Sequence, residues 1–361
     1  MQEPAYNVLT DFDTYETQTP EETAEVLSES VELNLFDVLM GVWIPGLISV
    51  FGIIGNVLSL WVLSRDPEGS ITFTSLKALA VSDLLLLVCA LLQQIVPMFC
   101  EIDQRTDHFC LCWAGYLRVY TWPVVLIAQM ASIWMTVLIS AERFIAICAP
   151  LRAPRPGQKN KIKRIILLIA ACSVVFNVPR FFEFVPKEEP VASLNVTRII
   201  LSDTRIRHDA VYRYFYNMAL YCIVIYALPL ITLTYLNVRL VRALKTARRN
   251  WRFLNTNQKR EMKATKLPLV IVTVFFVCGT ESLLGFILDA VFVSSHRWLQ
   301  VYTAIVNVLV ILNSAINFLL MFFFGKKFRR MLNDAIRCRR TRSSRMRRKV
   351  VLSISYKESS L

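Results

Sequence analysis

The sequence predicts an all-α membrane protein: a bundle of seven transmembrane helices with a short amphipathic helix after the last span. The 361 residues are 55% hydrophobic, and the mean hydropathy of +0.46 is well above that of a soluble domain of this size. Seven apolar stretches each reach the roughly 20 residues that cross a hydrocarbon core of about 30 Å. Their apolarity is continuous rather than alternating, which excludes an outer-membrane barrel.

The spans fall at about 38–63, 72–97, 115–147, 161–182, 213–242, 264–292 and 300–324. Charge sets their orientation. The first 37 residues carry ten Asp or Glu and no Lys or Arg, whereas 239–266 carry ten basic residues and one acid, and 326–361 carry thirteen and two. By the positive-inside rule, the amino terminus lies outside the plasma membrane and the carboxyl terminus lies in the cytosol.

Four segments follow from this pattern. Residues 1–37 form an acidic, disordered outer segment, 38–325 the bundle, 326–337 a helix parallel to the membrane, and 338–361 a basic cytoplasmic tail. Nucleic acid is a rival partner for such a tail, but basic residues beside a membrane more often meet anionic lipid, so no nucleic acid is expected. The final Ser359-Ser360-Leu361 weakly resembles a motif that PDZ proteins bind.

Three covalent modifications are expected. Asn195 begins an Asn-Val-Thr sequon in the second outer loop and is a glycosylation candidate. Cys338 follows the basic amphipathic stretch and is a palmitoylation candidate. Cys100 lies near the first outer loop and can form a disulfide with Cys110 or Cys112, whereas the second outer loop, 183–212, contains no cysteine.

A charged pair, Glu142-Arg143, stands where the third span ends. Most pairs of this kind are ordinary helix-end charges that reach water. Charges at membrane depth are costly, however, and are functional candidates by default. Polar residues also interrupt the first, second, third and seventh spans. A lone Asn in a membrane helix usually stabilises the packing of two helices, whereas a buried Asp needs hydrogen-bond partners or a cation. These polar groups are therefore expected to converge on a hydrated core: Asn56, Asp83, Ser132, Asn313 and Asn317.

Four motifs carry a resemblance to rhodopsin-class G-protein-coupled receptors, in the right order and spans: Gly55-Asn56-Val57, Leu79-Ala80-Val81-Ser82-Asp83-Leu84, Glu142-Arg143-Phe144 and Asn313-Ser314-Ala315-Ile316-Asn317. Within that class the chain is most similar to the invertebrate FMRFamide-receptor group, on stretches that include 122–134, 177–183 and 324–328. The resemblance covers about 38–338. It implies a neuropeptide receptor that opens its cytoplasmic face to a heterotrimeric G protein.

The resemblance also implies residue roles. Arg143 would be a lock that Glu142 holds in the inactive state and that moves toward the G protein in the active state. Leu151 would contact the G protein, and Phe275 would be a packing switch in the sixth helix. Asp83, Ser132, Asn313 and Asn317 would form a sodium-sensitive site. Arrestin, receptor kinases and membrane lipid are further expected partners; no cofactor is expected.

The chain departs from the class pattern at several of its switch residues. The usual Cys-Trp-x-Pro of the sixth helix reads Cys278-Gly279-Thr280-Glu281, and the usual Asn-Pro-x-x-Tyr of the seventh reads Asn317-Phe318-Leu319-Leu320-Met321. The tyrosine expected in the fifth helix is Asn237, the hypothetical active-state partner of Arg143. The usual outer-loop disulfide is in doubt, because Arg118 stands near the position of its third-helix cysteine.

An outward-opening cavity between helices is the expected ligand site. Glu281 is the sharpest candidate, because a carboxylate inside the sixth helix needs a cation and the group's ligands end in Arg-Phe-amide. An internal pair of Glu281 with Arg118 or Arg180 is the alternative. The remaining candidates are polar or aromatic residues that are expected to face this cavity: Gln93, Gln94, Arg118, Trp122, Gln129, Asn177, Arg180, Tyr221 and Asp289.

Other functions fit the sequence less well. A transporter usually shows internal repeats, and none is visible here. The short motifs of metalloproteases, serine hydrolases and nucleotide-binding loops are absent from the sequence, so an enzyme is not expected. An orphan or non-signalling decoy receptor of the same fold stays open, although Arg143 and Leu151 are present.

Overall fold

The computed structural model describes residues 39–66, 70–102, 108–148, 157–191, 196–249 and 297–336, with 270, 273–274, 276–281, 283–284 and 288 of the sixth span. Five described helices are long and apolar enough to cross a membrane: Leu39–Leu63, Ile71–Gln93, Gly115–Cys148, Gln158–Phe182 and Tyr212–Thr246. A bent pair, Val301–Ala315 and Asn317–Phe324, makes a sixth crossing. These six coincide with the first to fifth and the seventh predicted spans, and the described residues of the sixth are helical.

Several helices run past the predicted apolar stretches. The first helix begins with a π-helical turn, Leu39–Trp43, and continues as Ile44–Leu63. The second helix is Ile71–Ile102 and the third is His108–Cys148. The fourth helix, Gln158–Asn177, ends in a 3₁₀ turn, Val178–Phe182. An eighth helix, 326–336, follows the seventh, where an amphipathic helix is predicted.

The fifth helix changes type along its length. Its outer part is π-helical over Tyr212–Leu220 and Cys222–Ala227, and its inner part, Leu228–Arg249, is α-helical. π-helical segments in proteins are usually single turns and often lie at functional sites. The outer half of this helix therefore has an unusual geometry on the side of the membrane where a ligand is expected.

The second outer loop forms an antiparallel hairpin that is not predicted from the sequence. Strand β1 is Phe184–Val191 and strand β2 is Val196–Asp203, with Phe184 opposite Asp203. The hairpin packs on the third helix. The carbonyl and side chain of Ile199 lie so close to Gly115 that a β-carbon at position 115 would overlap them.

The seventh helix bends by 45° between Ala315 and Asn317, although it lacks the proline usual at this place. The side chain of Asn56 donates a hydrogen bond to the carbonyl of Ser314 over 3.1 Å. A side chain that enters the backbone ladder of a helix is a recognised cause of such bends. Close packing against the first helix supports the bend, because a β-carbon at Gly52 would lie 2.6 Å from that of Ala315.

Apolar side chains fill the inner half of the bundle and hold the eighth helix in place. Phe328 and Leu332 of the eighth helix are buried against the inner ends of the first, second, third and seventh helices. Met321, which stands where the rhodopsin-class pattern has tyrosine, is fully buried in the same cluster. Among the described residues, this apolar cluster therefore packs the eighth helix against the ends of four spans.

Candidate functional site

The centre of the bundle contains a buried carboxylate shared by three helices. Asp83 of the second helix is 0% exposed. Ser132 of the third helix donates to its Oδ1 over 2.6 Å, and Asn317 of the seventh donates to its Oδ2 over 2.6 Å. Because an unpartnered carboxylate costs several kcal/mol in an apolar interior, these hydrogen bonds help to keep the acid there.

A cavity of about 30 Å³ lies next to Ser132, with room for about two water molecules. Gln129 and Asn313 line it, so the structure brings Asn313 near the other predicted core residues. Gly279, which stands in the position of the usual tryptophan, also lines the cavity. Asn56 lies nearby through Ser314, and its Oδ1 is buried without a hydrogen-bond partner among the described residues.

The charged pair at the inner end of the third helix is held by hydroxyl groups of the second. Ser75 donates to Oε1 of Glu142 over 2.6 Å, and Arg143 donates to the hydroxyl of Thr72. Both charged side chains are buried. Oε2 of Glu142 has no hydrogen-bond partner in the described part of the chain. Hydrogen bonds with the second helix therefore hold both charged side chains, so the pair does not depend only on a contact between Glu142 and Arg143.

Asn237 of the fifth helix carries an unused acceptor. Its side-chain oxygen is buried without a hydrogen-bond partner among the described residues. The other two predicted activation residues, Leu151 and Phe275, lie outside the described residues.

Two of the predicted ligand contacts lie in hydrogen bonds between helices. Tyr302 of the seventh helix donates to Oε2 of Glu281 over 3.0 Å, and Glu281 is only partly buried. Gln93 of the second helix donates to Thr121 of the third over 2.8 Å. Among the remaining candidates, Arg118 is partly buried and Trp122 is 40% exposed.

Arg180 lies in a buried ion pair that is not predicted from the sequence. Its Nη1 is 2.8 Å from Oε1 of Glu183, and its guanidinium lies over the ring of Tyr221 at 4.7 Å. The alternative in which Arg180 pairs with Glu281 is therefore wrong in this conformation. Asn177 is also placed differently from expectation: it is fully buried and donates to the carbonyl of Ser173 instead of facing an open cavity.

The sequence profile of the 7 transmembrane receptor (rhodopsin family) matches residues 55–320. The chain belongs to this family. The predictions of a seven-helix membrane bundle, and of a receptor rather than an enzyme, are confirmed by this match. Multiple membrane crossings follow from the family and from the apolar helices described above.

Three relatives show where in the receptor family the similarity lies. The receptor is 32% identical to the FMRFamide receptor of Drosophila melanogaster over 80% of this chain and 53% of that protein. It is 27% identical to the FMRFamide peptide receptor frpr-18 of Caenorhabditis elegans over 79% of this chain and 66% of that protein. Neuromedin-U receptor 2 of Mus musculus is 26% identical over 80% of this chain and 73% of that protein. The match thus spans about half of the Drosophila protein and just under two thirds of the first C. elegans one.

Several predicted receptor sites lie outside what the structure describes. Asn195, Cys338 and Asp289 are outside the described residues, and the side chains of four more are too: Gln94, Cys100, Cys110 and Cys112. Glycosylation, palmitoylation and the outer disulfide stay predictions.

The receptor also uses residues that the sequence does not single out. Ser75 and Thr72 hold the charged pair, Tyr302 holds Glu281, and Glu183 holds Arg180. One signal was available, since Glu183 lies three residues from Arg180, in the same stretch that carries the resemblance.

Proposed function

We propose that this receptor binds neuropeptides that end in Arg-Phe-amide and signals through a heterotrimeric G protein. One observation carries the proposal. The chain is 32% identical, over 80% of its length, to a Drosophila protein named FMRFamide receptor. A C. elegans protein whose name also specifies an FMRFamide peptide supports the same ligand class.

Glu281 is the proposed partner of the peptide's arginine. Its carboxylate is partly exposed, and its described partner, Tyr302, is a neutral hydroxyl donor. The negative charge is therefore not neutralised by that contact, and a guanidinium can bind it with paired, charge-assisted hydrogen bonds. The other proposed ligand contacts are polar or aromatic residues: Gln93, Gln94, Arg118, Trp122, Gln129, Tyr221 and Asp289.

Signalling is proposed to follow from a change of conformation at the inner face. The conformation in which Ser75 and Thr72 hold Glu142 and Arg143 against the second helix is proposed to be the resting state. An agonist that binds better to a conformation without these contacts shifts the population toward it. Arg143 then becomes available to the G protein, and the side-chain oxygen of Asn237 can accept a hydrogen bond from it.

A sodium ion is proposed to favour the resting state by binding at Asp83. The residues fit a hard cation, because the carboxylate and the side-chain oxygens of Ser132, Asn313 and Asn317 are the kind of ligand that such ions take. The ion would supply a positive charge opposite a fully buried acid. These side chains come from the second, third and seventh helices, so the ion would hold the three helices together.

The proposed setting is the plasma membrane, with the amino terminus outside and the basic tail in the cytosol. The eighth helix, 326–336, is proposed to lie along the inner membrane surface in contact with lipid. Arrestin, receptor kinases and a PDZ protein are proposed partners of the cytoplasmic face and tail.

The test is a panel of amidated peptides applied to cells that express the full chain, with both calcium and cAMP as readouts. Peptides that end in Arg-Phe-amide are expected to activate the receptor, and the same peptides with a free carboxyl terminus to be much weaker. Arg143→Ala, at equal surface expression, serves as the non-signalling control. A response to neuromedin-type peptides with none to Arg-Phe-amides would overturn the ligand class.

A further inference from the structure

The outer-loop hairpin is held to the bundle without a cysteine of its own. Residues 183–212 contain none, so no disulfide can start from the hairpin or its flanks. The hairpin nevertheless sits closely on the third helix, where Ile199 is buried and lies against Gly115. Some other contact must therefore fix the base of the hairpin.

Glu183 lies at that base and joins three elements. Its backbone carbonyl accepts hydrogen bonds from the amide of Thr204 at 3.0 Å and from the hydroxyl of Thr204 at 3.1 Å, which closes the end of the hairpin. Its Oε1 accepts from Nη1 of Arg180 at 2.8 Å, from the hydroxyl of Tyr212 at 2.9 Å and from the amide of Asn217 at 3.1 Å. The side chain therefore connects the end of the fourth helix to the π-helical part of the fifth.

Arg180 is fixed on its other sides by aromatic rings. The guanidinium lies 4.7 Å from the ring centre of Tyr221 and 5.3 Å from that of Tyr216. Tyr216 in turn donates its hydroxyl hydrogen to the carbonyl of Phe176 in the fourth helix. A planar cation held by a carboxylate and two ring faces has little freedom to turn.

We propose that Glu183 and Arg180 are positioning residues that fix the hairpin against the third helix, as a non-covalent replacement for a cross-link between loop and helix. Removal of one partner leaves the other as a buried, uncompensated charge, so the two groups hold each other in one geometry. Arg180 acts through Glu183 and does not itself contact a ligand. If the two residues contributed only to stability, their substitution would lower the melting temperature of the receptor without moving the hairpin.

The test measures hairpin position without any agonist. Spin labels are placed at Lys187→Cys, exposed on β1, and at Trp43→Cys, exposed at the outer end of the first helix. Pulsed electron paramagnetic resonance on the purified full-length receptor gives their distance distribution, and singly labelled receptors correct for native cysteines. Glu183→Gln and Arg180→Gln are each expected to broaden or shift the distribution by several ångströms.

Matched controls are available on the same surface. Glu188→Gln and Arg205→Gln remove exposed charges near the cluster and are expected to leave the distribution unchanged. The Arg180→Gln, Glu183→Gln double variant removes both charges, leaves no orphan ion and is expected to fold if a single variant does not. It is still expected to release the hairpin, because Gln cannot restore the ion pair.

An unchanged distribution in the folded double variant overturns the proposal, and so does an equal change in Glu188→Gln. Because no peptide is used, either result is independent of whether the ligand class is right.

Discussion

Asn317 donates a hydrogen bond to Asp83 over 2.6 Å, and this contact joins the inner segment of the bent seventh helix to the second helix. Ser132 occupies the other carboxylate oxygen from the third helix. The position of three helices thus depends on one acid. A change in the charge or ligation of Asp83 is therefore expected to alter the balance between conformations rather than only the stability of one.

Asp83→Asn is expected to abolish an effect of sodium on agonist binding. If the ion binds the resting state at Asp83, then rising NaCl lowers the affinity of the wild-type receptor for an agonist. The neutral amide keeps the shape of the site but loses the charge that attracts the ion. Radioligand competition in NaCl, with choline chloride at equal ionic strength as control, measures the difference. Equal sodium sensitivity in both receptors would place the ion elsewhere.

Ser75→Ala is expected to raise basal signalling. The substitution leaves both carboxylate oxygens of buried Glu142 without a hydrogen bond from a described residue, which costs the resting state about 1–3 kcal/mol. If the active state lacks this contact, the active fraction rises by roughly 5- to 150-fold. Agonist-free G-protein activation at matched surface expression measures the shift. Ser64→Ala, at an exposed serine, is the control, and basal activity equal to wild type in both variants would contradict the prediction.

Glu281→Gln is expected to weaken a peptide that carries arginine by about 2–4 kcal/mol, or roughly 30- to 1,000-fold in affinity. Tyr302→Phe keeps the carboxylate and removes only its hydroxyl partner, so it is expected to retain binding. A peptide with citrulline in place of arginine completes the comparison. The citrulline peptide should bind the wild-type receptor weakly, and Glu281→Gln should reduce its affinity little further. If the two changes reduce the affinity additively, the arginine and Glu281 do not interact.

Gly52→Ala is expected to destabilise the receptor by about 1–3 kcal/mol, because the new β-carbon would lie 2.6 Å from that of Ala315. A second change, Ala315→Gly, is expected to restore only part of the loss, since the α-carbon of residue 315 remains at 2.8 Å. Thermal melting of the detergent-solubilised receptor measures both. Gly41→Ala, whose new β-carbon would meet nothing within 4 Å, is the matched control, and an equal melting temperature for Gly52→Ala and Gly41→Ala would rule out this contact.

The spans and the buried polar core could be predicted from sequence because both depend on strong, local physical signals. Twenty apolar residues in a row allow few structures other than a membrane helix. An acid within such a run must find partners, and Asp83 finds two residues that were predicted to lie with it, Ser132 and Asn317.

The hydroxyl partners of the charged pair could not be predicted in the same way. A serine or threonine in a membrane helix usually donates to a carbonyl of its own preceding turn, as Ser59 and Ser140 do here. Ser75 differs only in what faces it from the third helix. The hairpin could not be predicted either, because Pro186, Pro190 and the charged residues of β1 obscure the alternation of apolar and polar residues that is typical of a strand.

The seventh helix bends although Phe318 stands where the class pattern has a proline. A contact from another segment accompanies the bend, because Asn56 of the first helix donates a hydrogen bond to the carbonyl of Ser314. A synthetic peptide with the sequence of residues 297–324 should accordingly form a straight helix in lipid micelles, and should bend only when the first helix is supplied in trans. That result would mean that the shape of the last crossing is set when the helices assemble and not by the sequence of that crossing alone.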